Sequence, residues 1–103
     1  MGLFGFSKKM DAYVQEAQEQ GIELLDVREP DEFQRGHVKG AVNIPLGSIE
    51  RVERRFKDKD APIYVYCLSG GRSSQACRQM KAMGFTNVTN IGGIRSYGGE
   101  VVR

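Results

Sequence analysis

Short apolar segments alternate with segments of helical periodicity along this chain, and this alternation restricts its fold more than any other feature. Four apolar runs are too short for helices and have the composition of buried strands, at residues 22–27, 42–44, 63–66 and 88–91. Helical patterns separate them, over residues 8–20, from Pro30 to Gly36, through Ile49, Val52 and Phe56, and over 72–83. Strands connected through helices pair in parallel, so the sequence predicts a small, open α/β sheet with helices on both faces.

Length and composition limit the kinds of protein this chain can be. With 103 residues it has the size of one domain, and we expect a single domain over 1–103. The formal charge of +2 gives no field that would favour nucleic acid as a partner. Two Cys and one His do not supply the four ligands of a structural zinc site, so we expect no metal and no other cofactor.

The first residues are apolar, but they do not have the pattern of a targeting signal. Residues 1–6 contain no basic leader, and Ser7, Lys8 and Lys9 follow them directly. The apolar stretch is too short for a membrane span and does not resemble a secretory signal. We therefore expect a cytoplasmic protein with no membrane partner. Residues 3–6 are expected to form an edge strand or a packed arm, and Ser7 is the expected N-cap of the first helix.

The charged run over 51–60 resembles a basic patch at first sight. However, Glu50 precedes Arg54, and Glu53 precedes Lys57, by four residues, which is the favourable order for ion pairs on a helix. The pattern therefore favours a solvated helix face over a binding patch.

One cysteine stands where a sheet of this kind binds ligands. Cys67 ends the third apolar run, and a turn containing Gly70 and Gly71 leads from it into a helix. In open parallel sheets, ligands bind beyond the carboxyl ends of the strands, where the next helix presents its backbone N–H groups. The glycines let these groups turn toward one centre, while Arg72 adds a positive charge and Ser73 a hydroxyl donor. Since each feature favours a thiolate, we expect the pKa of Cys67 to lie below that of a free cysteine.

Several motifs, in this order, resemble the single-domain rhodaneses. They are Leu25-Asp26-Val27-Arg28-Glu29, Gly36-His37-Val38-Lys39-Gly40-Ala41, Asn43-Ile44-Pro45, the loop 67–73 and Gly92-Gly93-Ile94, and the resemblance covers about residues 10–99. It implies a five-stranded, mostly parallel α/β sheet and sulfurtransferase activity. The nucleophile of the family corresponds to Cys67, and its substrate-binding loop corresponds to Leu68, Ser69, Gly70, Gly71, Arg72 and Ser73.

The resemblance implies a reaction that agrees with the chemistry of the loop. The Cys67 thiolate would take the outer sulfur of thiosulfate or a related persulfide donor, and the resulting persulfide would pass to a thiol or to cyanide. The expected partners are thus a small anionic sulfur donor and a thiol or protein-thiol acceptor. Because sulfite is a good leaving group, the first step needs no general acid. Leu68 departs from some thiosulfate-specific relatives, which carry a basic residue there, and Tyr97 replaces a common Trp as a packing substitution.

Two alternatives to sulfur transfer stay open. Cysteine-dependent phosphatases have five residues between Cys and Arg, whereas this chain has four. The shorter loop favours sulfur transfer over phosphatase or arsenate reductase chemistry. In such a reaction, Asp26 or Glu29 would be the first candidates for the acid. A non-catalytic rhodanese-like binding module is the other alternative, and the intact Cys67 and Arg72 argue against it.

Three further residues are interpreted as structural. His37 is expected to be a hydrogen-bonded histidine without a catalytic role, and Cys77 lies on the apolar side of its helix, typical of core packing. Arg28 is expected to form a surface ion pair with Asp31 or Glu32.

Overall fold

The computed structural model describes residues 8–103. Its α-helices are α1 (Met10–Gln20), α2 (Pro30–Arg35), α3 (Val52–Arg55) and α4 (Gly71–Ala82), and two 3-10 helices span Leu46–Arg51 and Ile94–Ser96. Its strands are β1 (Glu23–Asp26), β2 (His37–Val38), β3 (Val42–Asn43), β4 (Ile63–Cys67), β5 (Val88–Gly93) and β6 (Val101–Val102). The expectations for Ser7 and for residues 3–6 concern positions outside the described residues.

The central sheet has the strand order β3-β1-β4-β5, and all its neighbouring strands are parallel. Leu25 pairs with Val42 on one side and with Val65 on the other. Between β4 and β5 the register shifts after Val65, so that Cys67 lies opposite Gly93. Because the strands are parallel, their carboxyl ends meet at one edge of the sheet, where Cys67 lies.

The number of strands in the sheet differs from the expectation. Within residues 8–103 the sheet has four strands rather than five, and a separate antiparallel pair joins β2 to β6. In that pair His37 lies opposite Val102, and Val38 opposite Val101. These two-residue strands have no alternating pattern in the sequence, and their partners are more than sixty residues apart.

Helices cover both faces of the sheet, as the sequence predicts. On one face, α3 and α4 pack against the sheet around Leu25, Val65, Met80 and Phe85. On the other face, α1 packs against a second apolar cluster that contains Val14, Leu24, Tyr66 and Ile91. Successive side chains of β4 point to opposite faces, so Cys67 belongs to the first cluster and its neighbour Tyr66 to the second. No helix within 8–103 combines the length and the apolar character needed to cross a bilayer.

The charged segment after β3 is less regular than the sequence suggested. Ile49, Val52 and Phe56 are buried as predicted, but they belong to a 3-10 helix, to the four-residue α3 and to its C-terminal end. The predicted pairs of Glu50 with Arg54 and of Glu53 with Lys57 are wrong. Because α3 ends at Arg55, Lys57 lies beyond the helix; Glu53 instead pairs with Lys59 at 2.8 Å, and Arg55 lies 3.7 Å from Glu23.

Candidate active site

Cys67 lies at the floor of a strand–turn–helix loop at the carboxyl edge of the sheet. It is the last residue of β4, and α4 begins only four residues later, at Gly71. Gly70 has a φ of 109°, a conformation that favours glycine and that turns the chain sharply into the helix. The Cys67 residue is 1% exposed, so the loop and its neighbours cover its sulfur almost completely.

Several donors converge on the Cys67 sulfur. The Gly70 amide donates to Sγ at 3.0 Å and the Ser73 amide at 3.4 Å, while Ser73 Oγ lies 3.4 Å from Sγ. Burial raises the pKa of Cys67, but the hydrogen bond with Ser73 Oγ and those from the amides of Ser73, Gly70 and Ser69 outweigh it, so the pKa lies below its ordinary value. The geometry therefore agrees with the thiolate that the sequence predicts.

Arg72 is tied to helix α2 rather than left free beside the loop. Its Nη1 and Nη2 donate to the two carboxylate oxygens of Glu32 at 2.7 and 3.1 Å. The Arg72 guanidinium lowers the pKa of Glu32 to about 2. Glu32 also accepts from the Glu29 amide at 2.9 Å, in a capping box that fixes the first turn of α2. The loop is thus anchored to α2 by a bidentate ion pair.

Glu32 is a residue of the site that sequence reasoning had placed elsewhere, as a surface partner of Arg28. The spacing of Glu29 and Glu32 is that of a capping box and could have predicted the fixed position of the Glu32 carboxylate. Its contact with Arg72, forty residues away, has no local signal in the sequence.

The end of β5 supports the loop from the other side. Ser73 Oγ donates to Asn90 Oδ1 at 2.7 Å, and Asn90 Nδ2 donates to the Gly70 carbonyl at 3.1 Å. The Arg95 amide donates to the Leu68 carbonyl at 3.0 Å. The backbone of β5 at Gly93 lies so close to the backbone of the Cys67 loop that a Cβ atom on Gly93 would overlap the Leu68 carbonyl and the Ser69 Cα. The sequence singled out Gly93 within a motif, but it contained no indication of Asn90.

Arg28 does not form the predicted surface ion pair. It is 5% exposed, and its Nη2 donates to Asp26 Oδ2 and to the Gly36 carbonyl, both at 2.7 Å. Asp26 is fully buried and also accepts from the Arg28 amide at 2.9 Å. The prediction failed because Asp26 and Arg28 flank the end of β1, where the chain bends and brings the two side chains together.

The two remaining side chains of interest lie outside the loop. His37 Nδ1 is hydrogen-bonded to the Phe33 carbonyl at 2.8 Å, and its ring stacks on Phe33 with centroids 3.6 Å apart. Cys77 is a buried free thiol on α4, and burial raises its pKa to about 11. Across residues 8–103, no three His, Cys, Asp or Glu side chains are grouped so that they could hold a metal ion.

Comparison with known proteins decides the family. The model of the rhodanese-like domain matches residues 10–100, which is most of the chain. The chain belongs to the rhodanese-like domain family. The match thus confirms the family that the motifs of the sequence resemble.

Relatives of this rhodanese-like chain include short proteins and parts of longer ones. YrkF of Bacillus subtilis is 37% identical over 101 residues, which cover 97% of this chain and 51% of that protein. The chain thus spans about half the length of this relative. Thiosulfate sulfurtransferase PspE of Escherichia coli is 43% identical over 72 residues, which cover 69% of each chain.

Solved structures show the same rhodanese-like architecture. A structure described as a rhodanese with anions, from E. coli, superposes with a TM-score of 0.74 and is 39% identical. The match covers 79% of this chain and 96% of the other. The α/β fold with parallel strands and helices on both faces is therefore that of the family.

Proposed function

We propose that this rhodanese-like chain is a sulfurtransferase in which Cys67 carries the transferred sulfur as a persulfide. The observation that carries the proposal is the convergence of the Gly70 and Ser73 amides on Cys67 Sγ. Such donors stabilise a thiolate, which is the attacking form of cysteine. The similarity to PspE, which is named a thiosulfate sulfurtransferase, supports the same chemistry.

In the first half-reaction, the Cys67 thiolate attacks the outer sulfur of thiosulfate or of another sulfane-sulfur donor. A bond forms between Sγ and that sulfur, and the S–S bond of the donor breaks with its electron pair going to sulfite or to a thiolate. No proton has to be delivered to sulfite, which agrees with a loop that contains neither His nor carboxylate. The product is a Cys67 persulfide.

In the second half-reaction, an acceptor thiolate or cyanide attacks the outer sulfur of the persulfide. The bond between this sulfur and Sγ breaks, and its electron pair returns to Cys67. The Gly70 and Ser73 amides that lower the pKa of Cys67 also make it a good leaving group, because a thiol of low pKa leaves faster. One set of hydrogen bonds thus serves both half-reactions.

We assign the remaining residues of the loop to the substrate-binding site: Leu68, Ser69, Gly70, Gly71, Arg72 and Ser73, of which Arg72 acts by positioning the others. The amides of the loop are the groups best placed to hold the charge of the donor and of the persulfide. Arg72 contributes mainly by holding the loop in place, because Glu32 already neutralises its guanidinium at 2.7 Å. This role differs from the direct anion contact that its charge alone would predict.

The test measures the intact mass of the reduced protein after incubation with thiosulfate. We expect a gain of one sulfur atom, which cyanide removes as thiocyanate. Cys67→Ser should show no adduct, whereas Cys77→Ala, which changes the other buried thiol, should load as the wild type does. If no sulfane-sulfur donor gives an adduct, or if the wild type hydrolyses an aryl phosphate and Cys67→Ser does not, the proposal is wrong.

A further inference from the structure

A shallow groove with a basic rim lies along the outer strand β3 of the sheet, outside the Cys67 loop. It has a volume of about 440 Å³. Its floor includes apolar side chains of the β3 segment, and its rim carries three arginines; the lining residues are Val42, Asn43, Ile44, Arg51, Arg54 and Arg55. Within the described part of the chain, β3 has a strand neighbour on only one side, so its other edge is open.

The arginines of this rim are poorly neutralised. In residues 8–103, no carboxylate lies within 4.0 Å of Arg51 or Arg54, and Arg55 lies 3.7 Å from Glu23. The Glu53 carboxylate, which could have neutralised one of these arginines, pairs with Lys59 at 2.8 Å. All three arginines are exposed, so their guanidinium groups are available to a ligand.

The groove ends near the edge of the sheet at which Cys67 opens. Asn43 is in register with Asp26, and Asp26 with Tyr66, the residue before Cys67. Because neighbouring strands lie about 4.8 Å apart, β3 is about 10 Å from β4. About three extended residues of a bound chain would therefore span from the Asn43 end of the groove to the loop. The other end, where Arg55 lies 3.7 Å from Glu23 at the start of β1, is at the opposite edge of the sheet.

We propose that this groove binds an extended, acidic segment of the protein that accepts sulfur from Cys67. The identity of the partner as acceptor rests on the proposed function, whereas its acidic character follows from the rim. Guanidinium groups bind carboxylates in bidentate geometry, and the open edge of β3 with its apolar floor fits a chain whose side chains alternate. A nucleic acid fits less well, since none of the described residues that line the groove has an aromatic ring on which bases could stack.

The first test is direct binding, which does not depend on sulfur chemistry. The probe is a labelled synthetic peptide of alternating Glu and Val that ends in one Cys, and its binding to the reduced protein is followed by fluorescence anisotropy at low ionic strength. We expect about tenfold weaker binding when Arg51→Glu and Arg54→Glu are combined, since two exposed charge pairs are lost. A peptide with Gln in place of Glu should bind the wild type as weakly as the Glu peptide binds the double variant.

The matched control variant combines Arg78→Glu with Lys81→Glu on the exposed side of α4, which changes the net charge equally. It should bind the acidic peptide as the wild type does. Equal loss in both double variants, equal binding of the Glu and Gln peptides, or tighter binding of a single-stranded oligonucleotide than of the acidic peptide would overturn the proposal.

The second test measures persulfide transfer from loaded Cys67 to the same Cys peptides. Transfer to the Glu peptide should be about tenfold faster than to the Gln peptide, and the Arg51→Glu/Arg54→Glu variant should remove this difference. Transfer to cyanide should be unchanged in that variant. If Cys67 does not load at all, the proposed function fails, and the binding test still decides on the groove. If the Glu peptide binds more tightly than the Gln peptide but does not accept sulfur faster, the occupant of the groove is not the sulfur acceptor, and the proposal is overturned.

Discussion

The absence of a side chain at Gly93 sets the position of the Cys67 loop. A Cβ atom there would overlap the Leu68 carbonyl and the Ser69 Cα, both of which are backbone and cannot rotate away. We predict that Gly93→Ala displaces the loop and slows sulfur uptake by about a hundredfold. The free energy of unfolding should fall by about 1–3 kcal/mol. Single-turnover loading and urea denaturation measure the two effects.

The matched control for this prediction is Gly47→Ala, because nothing lies within 4 Å of a Cβ atom at that position. Gly47→Ala should load sulfur as the wild type does. Unchanged loading in Gly93→Ala would mean that the loop tolerates displacement and that its contact with β5 does not position Cys67.

At the residue scale, the sequence predicted the position of Cys67 between β4 and α4 better than it predicted the residues around it. The order strand, Cys67, glycine turn and helix is local, so it could be recognised from neighbouring positions alone. Asn90 and Gly93 contact the loop from another strand, and no local sequence pattern predicts such a contact. Arg28 was misplaced for the same reason, since its burial depends on Gly36 and on the packing around it.

At the scale of elements, the ion pair of Glu32 and Arg72 connects the short helix α2 to the start of α4. Arg72 lowers the pKa of Glu32 to about 2 from an ordinary value of 4.5. The carboxylate therefore stabilises the folded state fully above about pH 4.5, and this contribution is lost as the pH falls toward 2. We predict that the stability of Glu32→Gln falls less steeply than that of the wild type as the pH is lowered from about 4.5 to 2.

Thermal unfolding measured between pH 2 and 7 tests this prediction. Asp31→Asn removes an exposed carboxylate of the same helix, which lies 3.4 Å from Arg35, and serves as the control. Its stability profile should follow that of the wild type. The role given to Glu32 is contradicted if both variants change the profile alike.

The helices and strands themselves were largely predictable, because apolar periodicity specifies them wherever they are long enough. The sequence predicted α1, β1, β4, α4 and β5, with boundaries that shifted by only a few residues. It did not predict β2 and β6, because a strand of two residues is too short to show an alternation of apolar and polar side chains. It also overestimated the regularity of α3, because a pattern of three buried residues does not distinguish a 3-10 helix from an α-helix.

At the scale of the whole molecule, a buried ion pair joins the central sheet to the β2–β6 pair. Arg28 links the Asp26 carboxylate to the Gly36 carbonyl just before β2, and the Val38 amide donates to the Tyr66 hydroxyl at 3.1 Å. We predict that Asp26→Asn lowers the free energy of unfolding by about 3 kcal/mol, since it leaves the Arg28 charge buried without its partner. Urea denaturation measures this loss.

The exposed pair of Asp31 and Arg35 gives the comparison for Asp26→Asn. Asp31→Asn should change the free energy of unfolding by less than about 0.5 kcal/mol, because exposed ion pairs contribute little. A similarly small change in Asp26→Asn would mean that water reaches Arg28 and replaces the carboxylate.

The deep position of Cys67 also restricts the shape of whatever approaches it. Because the residue is 1% exposed, the flat face of a folded protein cannot bring a thiol into contact with its sulfur. A protein partner has to offer that thiol on a narrow projection, such as a chain terminus or a protruding loop. Steric access thus selects among partners by local geometry, independently of their charge and of the reactivity of their thiols.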